Sequence, residues 1–309
     1  MSAPPASVNV EVEGRSLKLS NFDKVLYPEV GFTKGEVIDY YTRIAPVLLP
    51  HLRRRALTLK RYPNGVDGQF FYEKNCPKHR PPWVDTVAVW SARNKADVNY
   101  CLIDELAGLV WVANLASLEL HTSLASASDV QRPDMVVFDL DPGPPATVVE
   151  CGQVALWLRE VLDGMGLQSF PKTSGSKGLQ IYVPLNTPIT YYETKPFALA
   201  LARQLEQEHS QHVLSAMAKD LRKGKVFIDW SQNDDSKTTV CVYSLRARPR
   251  PTVSTPVTWD EVERVVDTGD PDLLVFEAPA VLGRVAAQGD LFAPLVELEQ
   301  SLPAPPMPA

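Results

Sequence analysis

Met135-Val-Val-Phe-Asp-Leu-Asp141 reads as a buried strand whose far end carries two carboxylates. Asp139 and Asp141 are two apart, so their side chains leave one face of the strand about 6–7 Å from each other. Phe138 and Leu140 occupy the other face. The acids therefore sit at the edge of a core, where uncompensated negative charge is costly and a hard cation would relieve it. Asp229 ends a second apolar run, Val226-Phe-Ile-Asp-Trp230, and can complete the cluster. Three carboxylates around two divalent ions suit in-line phosphoryl transfer. The D-x-D pattern alone also fits a metal-dependent phosphatase, a glycosyltransferase, or surface acids at a strand end. Pro142 after Asp141 departs from the D-x-D-G pattern of dehalogenase-like phosphatases.

Lys172-Thr-Ser-Gly-Ser-Lys-Gly178 lies between two expected strands, Leu167–Lys172 and Leu179–Pro184. Amides around Gly175 and Gly178, the Ser174 and Ser176 hydroxyls and the Lys177 ammonium can cup phosphate oxygens. A Ser- and Gly-rich hairpin turn accounts for the same residues.

Outward from these two segments, the pattern mixes helix and strand. Val8–Val12 and Leu17–Leu19 flank Glu13-Gly14 as a hairpin. Thr33-Lys-Gly-Glu36 is a capping box opening a helix to about Leu48, and Thr147-Val-Val-Glu150 opens another to about Asp163. Ala56–Tyr62 reads as a strand turned by Pro63-Asn64-Gly65 toward Gln69–Glu73. Further strands are expected at Thr86–Trp90, Val98–Ile103, Ser117–Leu124 and Val226–Trp230. Helices are expected at Asp104–Asn114, capped by Asp104, and near Thr194–His209. There is no regular βαβ rhythm, no G-x-G-x-x-G and no Walker sequence, so a mixed α/β or α+β sheet is favoured over a Rossmann fold.

With 309 residues and 45% hydrophobic content the chain can bury a sizeable core, and its composition excludes wholesale disorder. No apolar run approaches the ~18 residues of a membrane span. The N-terminus carries no signal peptide pattern, and the reading is a soluble, cytoplasmic, nucleoid-associated protein. Cysteines 76, 101, 151 and 241 form no C-x-x-C pair, so neither a disulfide framework nor a zinc ribbon is expected, and Cys76-x-x-His79 reads as ordinary loop or packing residues. The net charge of −6 is uneven: residues 260–309 hold ten acids and two arginines, a balance of −8, which leaves +2 for residues 1–259. Basic runs stand at His51–Arg61, Lys219–Lys225 and Arg246–Arg250.

Eight segments then occur in a fixed order. They are Leu19-Ser-Asn-Phe-Asp-Lys-Val-Leu-Tyr-Pro28, Thr33-Lys-Gly-Glu36, Lys60-Arg-Tyr-Pro-Asn-Gly-Val66, Phe70-Phe-Tyr-Glu-Lys-Asn-Cys-Pro77, Phe138-Asp-Leu-Asp-Pro142, Thr173-Ser-Gly-Ser-Lys-Gly178, Tyr243-Ser-Leu-Arg-Ala-Arg248 and Val253-Ser-Thr-Pro-Val-Thr-Trp259. Together they closely resemble the polymerase domain of bacterial DNA ligase D, a branch of the archaeo-eukaryotic primase superfamily. The resemblance implies an α+β primase-like core with a mainly antiparallel, RRM-like sheet flanked by helices. It spans about residues 8–300 as one domain, with an N-terminal subdomain at about 8–80 and a catalytic core at about 81–300, between tails at 1–7 and 301–309.

The activity implied is template-directed addition of NTP or dNTP to a primer, favouring ribonucleotides and 5′-phosphorylated gaps. Asp139, Asp141 and Asp229 match carboxylates that hold two Mn2+ or Mg2+ ions. His121, Ser174, Lys177 and Arg246 match positions around the incoming nucleotide, whereas from its strand alone His121 fits a satisfied core histidine. Gln180 stands where the family usually has His, and Gln232 stands where an Arg is expected; both bear on nucleotide selection. Phe71 and Tyr72 match an aromatic pair that stacks on a base. Lys60 matches a grip on the 5′-phosphate, with Asn21, Lys24 and Lys34 as nearby DNA-phosphate contacts and Arg61 beside them in the basic run. DNA gaps or broken ends are the implied partners, with Ku and a DNA ligase beyond them and no membrane. The chain has no K-x-D-G ligase motif and no His-rich phosphoesterase segment, so it reads as a stand-alone relative or an excised domain. A non-catalytic DNA-end-binding module and a metal-dependent phosphatase stand as alternatives.

Overall fold

The computed structural model describes residues 7–92 and 94–303; the expected tails fall largely on 1–6 and 304–309, outside the described residues. In chain order the strands and helices are β1 (Ser7–Val12), β2 (Arg15–Ser20), β3 (Val25–Tyr27), β4 (Phe32–Thr33), α1 (Lys34–Leu52), β5 (Arg55–Arg61), β6 (Phe71–Glu73), β7 (Thr86–Ser91), β8 (Ala96–Cys101), α2 (Leu106–Asn114) and β9 (Ser117–Ser126). They continue as β10 (Met135–Pro142), α3 (Val148–Gly164), β11 (Phe170–Thr173), β12 (Leu179–Pro184), α4 (Tyr191–Glu208), β13 (Val213–Leu214), β14 (Val226–Asp229), β15 (Thr239–Val240), α5 (Trp259–Thr268) and α6 (Ala278–Gln288). The fold is α+β. Among the described residues no helix is long and apolar enough to cross a membrane.

Two compact units form, neither continuous in sequence. One contains residues up to Ser123 with Val240–Val253 and Phe276–Gly289; the other contains Leu124–Thr239, Ser254–Val275 and the remainder from Asp290. Residue 80, the expected subdomain boundary, lies within the first.

In the first unit, β5 lies between β9 and β8 and also carries β6, while β7 and β8 make a hairpin. Thr33 and Glu36 cap α1 reciprocally, as the sequence requires, and α1 runs past Pro46 and Pro50 to Leu52. Its apolar side buries Val37, Ile38, Tyr41, Ile44 and Leu48. Tyr40 and Tyr41 spend their hydroxyls on the Tyr243 and Leu118 carbonyls at 2.8 and 2.7 Å. The α2 start differs from expectation: Glu105, not Asp104, is the N-cap and gives no side-chain cap bond. Asp104 instead accepts from the Arg54 amide at 2.7 Å, where Arg54 turns the chain with φ of 54°.

The expectation of four reduced cysteines is also corrected, because Cys76 and Cys101 form a disulfide. The loop after β6 lies along β8, with the Cys76 amide donating to the Asn99 carbonyl at 2.6 Å and Asn75 accepting from the Asn99 amide at 3.0 Å. That lateral contact brings the Cα atoms to 4.9 Å, a pairing that spacing along the chain does not encode. Cys151 and Cys241 are free and buried.

In the second unit a five-stranded sheet runs β11-β12-β10-β14-β13, antiparallel except at β13–β14. β10 is central, and Val136, Val137, Phe138 and Leu140 are fully buried, which explains a strand apolar on both faces until the acids begin. α3 covers the sheet after the Thr147–Glu150 capping box, and α5 packs on α3.

Candidate active site

The sheet register of the second unit places four polar residues in one lateral row: Lys172 opposite Gln180, Gln180 opposite Asp139, and Asp139 opposite Asp229. Directly paired residues on neighbouring antiparallel strands share a face, so these side chains project together, and Asp141 follows Asp139 on that same face. Burial raises the Asp139 carboxyl above its usual range, and the nearby Asp141 and Asp229 charges add to the rise. A hydrogen bond from Gln180 and the Lys172 charge act in the opposite direction.

Excess negative charge on hard oxygen donors is the chemistry that a divalent cation relieves, so the residue types fit such an ion. Their atoms, however, do not converge as a finished cage: among the described residues no group of three His, Cys, Asp or Glu side chains is placed to hold a metal. Asp229 is occupied, its Oδ1 accepting from the Ser231 amide and hydroxyl at 3.0 and 2.6 Å and its Oδ2 from Gln232 at 2.7 Å. Asp141 is half exposed, with an Arg222 guanidinium nitrogen 3.9 Å from its Oδ2.

The Ser-Gly-Ser-Lys-Gly segment joins β11 to β12. Ser174 Oγ accepts from the Ser176 and Gly178 amides at 3.2 and 3.1 Å, so those two N–H groups close the loop on itself. Lys177 is exposed at its tip. A Cβ on Gly178 would stand 1.9 Å from the Leu140 carbonyl oxygen, so only glycine lets the loop lie this close beside β10 as it enters β12.

The first unit gathers a second set. His121 and Glu119 are two apart on β9 and share a face, with His121 Nε2 2.9 Å from Glu119 Oε2. Glu119 is 2% exposed and also meets Lys60 Nζ at 3.2 Å, Arg246 Nε at 3.4 Å and the Ala247 amide at 3.1 Å. Burial opposes ionisation, but the His121 hydrogen bond with the Arg246 and Lys60 charges holds Glu119 well below the usual carboxylate range. Burial lowers His121 against the pull of Glu119. Sequence reading picked His121, Lys60 and Arg246 and missed Glu119, the residue that binds them together. A charged residue between Leu118 and Leu120 on a buried strand was the available signal.

Lys60 also stands 4.6 Å from the Phe70 ring centre and 5.3 and 5.5 Å from those of Tyr62 and Tyr72. Phe71 and Tyr72 are both exposed, but as neighbours on β6 they take opposite faces: Phe71 pairs with Arg61 and Tyr72 with Lys60. Arg61 donates to Glu73 at 2.7 Å and to the Leu115 carbonyl at 2.9 Å. Lys34 is buried and donates to the Ser20 carbonyl at 2.7 Å. Burial, with the adjacent Lys24 and Arg61 charges, lowers it to about 8. Lys24 reaches Asn64 at 3.1 Å, and the exposed Asn21, three residues before Lys24, turns the chain with φ of 55°.

The α+β fold with these two sheets, taken with the family and structural matches that follow, makes this chain a nucleotidyltransferase of the primase type. The chain belongs to the family described as LigD, primase-polymerase domain, whose model matches residues 33–292. It is 43% identical over 281 residues to the multifunctional non-homologous end joining protein LigD of Mycolicibacterium smegmatis, covering 90% of this chain and 36% of that protein. The bifunctional non-homologous end joining protein LigD of Bacillus subtilis is 30% identical over 274 residues, covering 88% and 43%. The chain therefore spans less than half the length of these relatives. Among solved structures, the polymerase domain from Mycobacterium tuberculosis ligase D in complex with DNA matches with a TM-score of 0.84 and 40% identity, over 92% of this chain and 99% of that one.

Proposed function

We propose that this polymerase domain adds nucleotides to a primer 3′-hydroxyl at gaps or broken ends of DNA, in the repair of breaks by end joining. The row Lys172–Gln180–Asp139–Asp229 carries the reading, because it sets a carboxylate among further acids on the face that Asp141 extends. Asp139, Asp141 and Asp229 would hold divalent cations, Mn2+ or Mg2+. When bound, such ions supply charge neutralisation for a hydroxyl attacking an α-phosphate and for departing pyrophosphate. Asp229 would exchange its Ser231 and Gln232 hydrogen bonds for that task. Lys177 and Ser174 would meet the triphosphate, and His121 and Arg246, fixed by Glu119, would meet nucleotide phosphate or sugar.

Lys60, matched to a grip on the 5′-phosphate, would act with Asn21, Lys24, Lys34 and Arg61 around it; Lys34, lowered by burial and then by the Lys24 and Arg61 charges, gains from an anion that favours its charged form. Exposed Tyr72 and Phe71 offer faces for base stacking, worth about 1–3 kcal/mol per base. Ribonucleotide preference, and Ku and a ligase as partners, belong to the same proposal. The experiment is extension of a primer on gapped DNA with Mn2+ or Mg2+, comparing NTP with dNTP and 5′-phosphate with 5′-hydroxyl. Incorporation by wild type and its loss in Asp139→Ala is the expected result. Equal inactivity of both overturns the catalytic reading and leaves a DNA-end-binding module.

A further inference from the structure

Lys172 is 0% exposed, a position an ammonium tolerates only when its protons are spent on partners. It donates to Gln180 Oε1 at 2.6 Å and to Ser254 Oγ at 2.6 Å, with the Tyr182 ring centre 5.4 Å away. The Ser254 hydroxyl gives its own hydrogen to the Thr173 carbonyl at 2.8 Å, so its oxygen is left to accept from Lys172. An ammonium has donors and no acceptor, so the Gln180 atom facing it must be the oxygen. This settles which way the amide lies. Its NH2 group is turned away from Lys172, where it donates to Thr239 Oγ1 at 3.1 Å and to the Asp139 carboxylate.

We infer that Lys172 is a positioning residue for Asp139, acting through Gln180: it locks the Gln180 amide so that an N–H, never the carbonyl oxygen, faces the carboxylate. Without Lys172 the Gln180 oxygen keeps the Tyr182 hydroxyl at 3.5 Å but loses its charged partner, so the amide can turn over, and a Gln180 oxygen against Asp139 repels it and swings it from its place. The row of register pairs is what lets one buried cation on β11 act on an acid two strands away. The inference rests on the reading of Asp139 as a working carboxylate.

The test compares Lys172→Met, Gln180→Leu and the double variant, with wild type and Asp139→Ala, in primer extension. Side-chain amide signals of Gln180 are followed by 15N NMR in the metal-free protein, assigned by their loss in Gln180→Leu. Lys172→Met is expected to lower kcat about 10- to 100-fold, the usual cost of removing a support behind a metal-ligating group, with nucleotide KM little changed. The double variant is expected to lose far less than the product of the two single losses, because Lys172 and Gln180 act on Asp139 largely as one unit. The Gln180 amide pair, slow to exchange in wild type, is expected to exchange fast in Lys172→Met. Unchanged amide signals, a wild-type kcat, or losses that simply multiply in the double variant overturn the inference. Gln180→Glu decides the matter even where Lys172→Met fails to fold: it keeps an acceptor for Lys172 but removes the N–H, so a wild-type kcat there also overturns it. Equal inactivity of wild type and Asp139→Ala would instead sink the underlying catalytic reading.

Discussion

Glu119 gathers Lys60, His121 and Arg246 onto one buried carboxylate, so the three cannot be treated as independent. Glu119→Gln keeps the shape but leaves three nitrogen donors facing a neutral amide. Breaking a buried charge network from one side costs about 3 kcal/mol, and urea unfolding should show a loss of that order. His121→Gln, which leaves the Lys60 and Arg246 pairs in place, should cost less in the same measurement. Lys34 gives a pH prediction. Its value is lowered to about 8, so the fold favours its neutral form, and stability from this residue rises as pH climbs from about 8 toward the unfolded value. Phosphate recognition runs the other way, because only the ammonium attracts an anion. Preference for a 5′-phosphate over a 5′-hydroxyl, measured by fluorescence anisotropy on gapped DNA, should shrink between pH 7 and 9. In Lys34→Met that change should largely vanish; a preference that stays constant in wild type would exclude Lys34 from the contact.

Capping boxes show what was legible at the scale of an element. Thr33/Glu36 and Thr147/Glu150 announced α1 and α3 because their signal is local, a hydroxyl and a carboxylate three residues apart. Thr190/Glu193 and Thr258/Glu261 are the same device and were passed over: α4 begins at Tyr191, three residues before the expected start, and α5 was not anticipated. The acids of β10 and β14 were legible for a similar reason, since alternation fixes their face. Their pairing, Asp139 with Asp229 and with Gln180, was not, because register is a property of two strands that meet only in the fold. Glu119 and the Cys76–Cys101 bond are of that second kind. The disulfide closes a loop with a sequence separation of 25 between β6 and β8, which constrains the unfolded chain by about 3 kcal/mol. Reductant, or Cys76→Ser, should therefore lower the Tm measured by calorimetry; Cys76→Ser should no longer respond to reductant, whereas Cys151→Ser, which keeps the bond, should respond as wild type does. An identical Tm with and without reductant would show that the bond does not form in solution.

At the scale of the whole molecule the charge of −6 is a poor guide to partners, because ten acids lie in residues 260–309 while residues 1–259 carry a small positive balance. What a polyanion meets is local. The Lys24 and Arg61 charges both act on Lys34, and Arg222 stands beside Asp141 of β10. Binding of gapped DNA should then depend steeply on salt despite an overall charge of the same sign as DNA, since each phosphate neutralised releases counterions and contributes about 0.9 to the slope of log K against log salt. Lys24→Gln combined with Arg61→Gln should reduce that slope by about 2 if each residue meets one phosphate. Replacing two acids between Asp260 and Asp272 by their neutral amides should raise affinity at low salt and leave the slope nearly unchanged, because it alters the overall field and no phosphate contact. Titration across a salt series with these variants separates the two effects, and a flat response in wild type would refute the electrostatic account.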